Sequence, residues 1–181
     1  KKKIKNNFIL TVGIVEKRKN YLRLIYALEL LIFLGIKINV IIVGKKSDDY
    51  KNLIKLINQK NLQNYVTLFQ GISDEKLKKL YAQSSGFIFQ SLYEGFGIPV
   101  LESIINDCNI ALSDIEVFRE ITQNDAFYFD PTSVNSIANA LISLINNEQK
   151  VKLKKLKKNK ILKQFDAKKI AKQMNNLYSI N

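Results

Sequence analysis

GFIFQSLYEGFGIPVLE, residues 86–102, decides the fold. Gly86–Gln90 is an apolar, strand-sized run. Ser91–Pro99 is rich in turn formers, and Leu101, Glu102, Ile104 and Ile105 then recur as a helix would place them. Strand, glycine turn and helix in that order make one step of an alternating β–α chain.

The same step repeats on either side. Phe8–Val12 (FILTV) ends at Gly13, and Asn20 is placed to cap a helix carrying Leu22, Leu24, Ile25, Leu28 and Leu31. Lys37–Val43 (KINVIIV) stops at Gly44, and Ser47 or Asp48 opens a helix holding Leu53, Ile54 and Ile57. Tyr65–Phe69 closes at Gly71, and Ser73 caps a helix with Leu77, Leu80 and Tyr81 inward. Downstream, Asn109–Leu112 and Ala126–Phe129 read as strands and Glu116–Ile121 as a helix; Pro131 begins another helix. Several strands are continuously apolar rather than alternating, which specifies a parallel sheet covered on both faces. The expected fold is α/β: a doubly wound, Rossmann-like parallel sheet of about six strands. One domain spans 1–181, with a core over 8–146 and lysine-rich helices over 148–181.

Composition narrows the function. Histidine is absent, which excludes His-based zinc sites and Ser-His-Asp or Cys-His catalysis within the chain. A lone cysteine, Cys108, excludes an internal disulfide framework and fits a reducing, cytoplasmic setting; it reads as a small buried hydrophobe. No apolar run reaches the roughly 18–20 residues of a membrane span. The net charge is +13, with lysines at 150, 152, 154, 155, 157, 158, 160 and 163. That run reads as a solvated helix face, with peripheral contact to an anionic membrane as the alternative. Nucleic acid is not expected, because no aromatic-interleaved or helix-turn-helix pattern accompanies the charge.

Ligands of open parallel sheets bind beyond the carboxyl ends of the strands, so the segments after the first and fourth strands are the candidate site. After the first comes Gly13 followed by Lys17-Arg18-Lys19-Asn20; after the fourth, Glu94-Gly95-Phe96-Gly97-Ile98-Pro99 and then Glu102. Gly95 and Gly97 let backbone amides approach negative oxygens. Pro99 suits a first helical turn, and a helix N-terminus beneath glycine amides is a seat for a pyrophosphate. Glu102, one turn into the helix, could accept hydrogen bonds from a ribose diol, and Glu94 is free in the loop to receive sugar hydroxyls. In isolation each glutamate would read as a surface carboxylate. Asp48-Asp49 has no intervening residue, so there is no D-x-D metal motif. Arg119-Glu120 reads as a structural ion pair, and Tyr93 suits sugar stacking and core packing equally.

Glu94 and Glu102, with seven residues between them in YEGFGIPVLE, resemble the E-x7-E signature of family-4 retaining glycosyltransferases of the GT-B fold. FILTVGIVEKRKN, INVIIVG, VTLFQGISDEKLKKLYAQSSGFIFQ, SDIEVFREI and AFYFDPTS are similar to that family's C-terminal donor domain in the same order. The resemblance implies that Lys19 and Arg18 face the donor diphosphate, Glu94 the transferred sugar and Glu102 the ribose. It implies backbone contacts at Gly13, Phe96, Gly97 and Ile98, and places Gln70 and Ile72 beside the base. It further implies a UDP- or GDP-linked sugar donor, no metal or other cofactor, and an acceptor such as a surface polysaccharide. The family's N-terminal acceptor domain is expected to be absent here, leaving a fragment with little transfer of its own. Three departures stand out: Ile14 where an arginine is common, Gln90 where a proline is frequent, and Ser-Ile-Ile-Asn-Asp-Cys over 103–108 where a small-residue, glycine-ended helix is usual. A non-hydrolysing sugar-nucleotide epimerase-like domain and a basic nucleic-acid- or membrane-binding module are the alternatives.

Overall fold

The computed structural model describes residues 8–146 and 155–165. Six strands, β1 (Phe8–Val12), β2 (Asn39–Val43), β3 (Val66–Phe69), β4 (Gly86–Phe89), β5 (Ile110–Ser113) and β6 (Phe127–Phe129), form one sheet. All neighbours are parallel and the spatial order is β3-β2-β1-β4-β5-β6. The helices are α1 (Tyr21–Phe33), α2 (Tyr50–Gln59), α3 (Asp74–Gln83), α4 (Ile98–Ile105), α5 (Glu116–Thr122), α6 (Val134–Asn146) and α7 (Lys155–Gln164).

The two faces of the sheet explain the continuous apolar runs. Successive strand side chains point to opposite faces, and both are covered. Ile9, Val40, Ile42, Ile88 and Ala111 pack under α1, α2 and α6. Phe8, Leu10, Ile41, Phe87 and Leu112 pack under α3, α4, α5 and Ile161 of α7. Phe87 and Phe89 run a tilted aromatic row from Tyr81 to Phe118, with ring centres 5.3–5.6 Å apart. Among the described residues no helix is long and apolar enough to cross a membrane.

Several boundaries differ from the sequence reading. Ser73 does cap α3, its hydroxyl accepting from the Lys76 amide at 3.3 Å. Asn20 precedes α1 in a left-handed conformation (φ 58°) and makes no side-chain cap; its amide is spent elsewhere, as described below. Helix α6 starts at Val134 rather than Pro131: Asp130 holds the amide and hydroxyl of Thr132 in a turn, and Ser133 accepts from the Ser136 amide. Lys158 is not a solvated charge. Its ammonium donates to Ile105 O at 2.8 Å and Asp107 Oδ1 at 2.7 Å, closing the C-terminal end of α4. Of the other lysines in the run, those at 150, 152 and 154 lie outside the described residues.

Candidate functional site

The order of the sheet reverses between β1 and β4, whose chains lead to helices on opposite faces. That reversal leaves a crevice beyond their carboxyl ends. It is walled by the two segments singled out above.

On the β1 side, Gly13 donates to Val43 O at 2.9 Å and its own carbonyl accepts from the Tyr21 hydroxyl at 2.9 Å. A single 3-10 turn, Lys17–Lys19, then brings the cations inward. A Cβ on Gly13 would sit 3.0 Å from Lys19 Cε, so glycine makes room for the lysine to cross. The Lys19 ammonium lies 4.5 Å from the centre of the Phe89 ring and ends 2.5 Å from Glu94 Oε1. Arg18 Nη1 donates to Glu94 Oε2 at 2.9 Å, and Arg18 Nε to Glu16 Oε2 at 2.9 Å. Each oxygen of Glu94 thus holds one cation. Burial draws Lys19 below the usual lysine value of 10.5, with Glu94 opposing the shift. Burial also works against the Arg18 charge, but Glu94 and Glu16 outweigh it and raise the guanidinium further.

Here the structure corrects the sequence reading. Glu94 is not free for hydroxyls; its side chain is 7% exposed and doubly paired. The cause is electrostatic: Lys19, 6% exposed, cannot keep its charge under cover without a carboxylate partner.

On the β4 side, Gly97 is the residue before α4, at φ 86°. A Cβ there would stand 3.0 Å from the Phe118 ring and 3.2 Å from Ile121 Cδ1, so this glycine serves the packing of α4 on α5. Gly95 is exposed, and a Cβ there would meet nothing within 4 Å. Pro99 sits in the first turn, as expected. Half-buried Glu102 accepts from the Tyr81 hydroxyl at 2.9 Å, and burial raises that hydroxyl far above its usual range. Phe96 packs edge-on against Phe165, ring centres 5.4 Å apart, while Ile98 is exposed. Gln70 and Ile72 follow β3, two strands away from β1, with Ile72 resting on the lower core. The structure therefore brings Gly13, Arg18, Lys19 and Glu94 together, while Glu102 of α4 is hydrogen-bonded to Tyr81 of α3 instead.

Two other readings change. Arg119 pairs with Asp114 through Nε and Nη2, at 2.5 and 2.8 Å, and lies over the Tyr128 ring, rather than meeting Glu120. Tyr93 is 68% exposed and is not in the core. Asp49 accepts from the Lys17 amide at 3.0 Å, tying the cationic turn to α2. Among the described residues no group of three or more Cys, Asp or Glu is arranged to hold a metal ion.

Sequence reasoning missed the buried amides that join the two walls. Gln90 is fully buried; its side chain donates to Lys19 O at 2.7 Å and accepts from the Thr11 hydroxyl at 3.2 Å. Asn20 donates to Gln90 O at 3.1 Å and to Pro131 O at 2.7 Å. The departure from proline at position 90 was the one sequence signal of this network.

A family model described as "Glycosyl transferases group 1" matches residues 1–175. The chain is 38% identical over 131 residues to the serotype-specific mannosyltransferase WbdA of Escherichia coli, covering 72% of this chain and 16% of that protein. It is 31% identical over 140 residues to the O-antigen chain mannosyltransferase RfbU of Salmonella typhimurium, covering 77% and 39%. The chain therefore spans well under half the length of both relatives. Among solved structures, Anabaena HepE in complex with UDP and glucose superposes with a TM-score of 0.80 at 19% identity, over 97% of this chain and 49% of that one.

Proposed function

The chain belongs to the group 1 glycosyl transferases and has the fold of a GT-B C-terminal domain, and we propose that its switch-point crevice binds a nucleoside diphosphate sugar for glycosyl transfer. One observation carries this reading: a buried lysine and an arginine converge on Glu94 beyond β1, one residue ahead of the exposed Gly95 in the turn that leads into α4. Fixed cations beside a glycine turn and a helix N-terminus suit a diphosphate.

In this reading the diphosphate takes up Lys19 and Arg18, and Glu94 turns to the sugar hydroxyls. Glu102 receives the ribose diol, with Gln70 and Ile72 near the base and the backbone of Gly13, Phe96, Gly97 and Ile98 along the donor. During transfer the bond from the anomeric carbon to the β-phosphate oxygen breaks. The acceptor oxygen bonds that carbon and passes its proton to the departing phosphate oxygen. Charge developing on the departing diphosphate meets the two cations, each such fixed contact being worth on the order of 3 kcal/mol. No metal is assigned a part. Transfer proceeds with retention, as the E-x7-E resemblance implies.

The relatives' names point to mannose as the sugar and an O-antigen-type polysaccharide as the acceptor product. An N-terminal acceptor domain supplies the opposite wall of the cleft. Peripheral membrane contact is assigned to the lysine-rich C-terminal run. Membership of a transferase family favours transfer over epimerisation.

Titration calorimetry with UDP, GDP and their sugars tests the site. Binding of one of them, weakened about tenfold or more by Glu102→Ala, supports it. Absence of any nucleotide binding by the wild-type chain sinks it.

A further inference from the structure

Positions 18–20 and 90–92 are stitched together across the crevice floor by three hydrogen bonds. The Leu92 amide donates to Arg18 O at 2.8 Å, the Gln90 side chain to Lys19 O at 2.7 Å, and the Asn20 side chain to Gln90 O at 3.1 Å. Two of the three depend on side-chain amides at sites where a strand has ended and no ladder continues. The Gln90 amide is itself oriented, because Thr11 donates to its other end at 3.2 Å. We propose that Gln90 is a positioning residue that fixes the Lys19 backbone so that the ammonium stands at the diphosphate seat. This rests on the donor-site reading above and goes beyond it, since Gln90 touches no atom of the crevice's proposed ligand.

The physics is that of a buried donor meeting a buried acceptor. Loss of the Gln90 donor leaves Lys19 O under cover without this bond, which favours a shift of the turn toward water. Lys19 reaches its place through a narrow path over Gly13 and the Phe89 face, so a backbone shift there moves the ammonium directly. A displacement of about 1 Å is enough to weaken a charge contact strongly.

Gln90→Met keeps the length and removes both polar ends, and Thr11→Val removes the hydroxyl that orients the amide. The 181-residue chain would be titrated with the nucleoside diphosphate it binds and with the corresponding monophosphate and nucleoside. Gln90→Met should weaken the diphosphate about tenfold and Thr11→Val about threefold. The nucleoside should change less than twofold in both, because Glu102 and the base contacts lie on other elements. In Lys19→Met the further effect of Gln90→Met on the diphosphate should vanish. Equal losses for all three ligands, or an undiminished effect in Lys19→Met, mark Gln90 as merely structural and overturn the proposal. If Gln90→Met does not fold, Thr11→Val decides by the same comparison. A wild-type chain that binds no nucleotide removes the donor site and this role with it, whereas a failed preference alone leaves the donor site standing.

Discussion

Lys19 and Glu94, 75 positions apart in the chain, meet at 2.5 Å with side chains 6% and 7% exposed. The two residues assigned to opposite ends of a donor, its diphosphate and its sugar, are thus bound to each other. Under the proposed donor-site reading, a diphosphate entering the crevice would compete with a carboxylate for the same cations, which would hold its affinity down and release Glu94 only as it arrives.

Glu94→Gln separates these effects. Taking away one partner of a covered ion pair is expected to destabilise the chain by on the order of 3 kcal/mol. The same change should tighten binding of inorganic pyrophosphate, since Lys19 and Arg18 lose their internal anion. Discrimination between a nucleotide sugar and the bare nucleoside diphosphate should fall. Thermal unfolding and competitive titration read all three; an unchanged melting temperature together with unchanged pyrophosphate affinity would rule out the competition.

Two glycines of the site answer to different demands, and alanine substitution tells them apart. Gly97→Ala puts a Cβ 3.0 Å from the Phe118 ring at a positive φ, so α4 must lift off α5. A loss of about 2–3 kcal/mol of stability is expected. Gly13→Ala is strained as well, at φ 155°, but its Cβ meets the far end of a flexible lysine, 3.0 Å from Lys19 Cε. It should therefore lose stability and also weaken phosphate binding, whereas Gly97→Ala should lose stability alone. Unchanged phosphate affinity in Gly13→Ala would contradict the division.

The alternation of strands and helices was legible because a parallel strand buried on both faces has no polar alternation to hide it: FILTV and KINVIIV can be little else. The two loops at the switch point were legible for a related reason, since glycine followed by charge cannot continue a buried strand. What the loops bind to was not. Whether Glu94 faces solvent or Lys19 depends on β4 lying beside β1, a contact that local pattern does not encode. Asn20 has the composition of a helix cap, but Gln90 and Pro131 compete for its amide and win. Arg119 finds Asp114 rather than adjacent Glu120 because the turn into α5 brings residues five apart together. Buried polar side chains such as Gln90 look like surface ones until the elements around them are placed.

Tyr81 gives the fold an alkaline limit. Burial and then the charge of Glu102 raise its hydroxyl above the usual tyrosine value of 10.0, and burial does the same for Tyr21. A group whose folded value is raised stabilises fully below its unfolded value and loses that contribution as pH rises above it. Stability should therefore be lost with rising pH above about 10, with a slope approaching two protons. Tyr81→Phe should reduce the slope by one proton and leave Glu102 without its 2.9 Å donor. Urea unfolding across pH 9–11 measures the slope; a slope identical in the two chains would refute the assignment to Tyr81.

If the proposed donor site holds, Lys19 should give phosphate binding a pH dependence of opposite origin. Its folded value lies below 10.5 because burial opposes the charge, whereas Arg18 is raised and keeps its charge throughout. The protonated lysine is the form that holds a phosphate, so affinity should fall as pH rises through the lowered Lys19 value. The loss should level off at the strength Arg18 and the backbone still supply, about tenfold or somewhat more below the neutral value. Lys19→Arg supplies the control, because a guanidinium stays charged over the whole range. Ionisation of the ligand is common to both chains, so the ratio of their affinities isolates the lysine. That ratio should swing toward the arginine variant on the alkaline side. A ratio constant from neutral pH to pH 10.5 would show that Lys19 does not carry the phosphate.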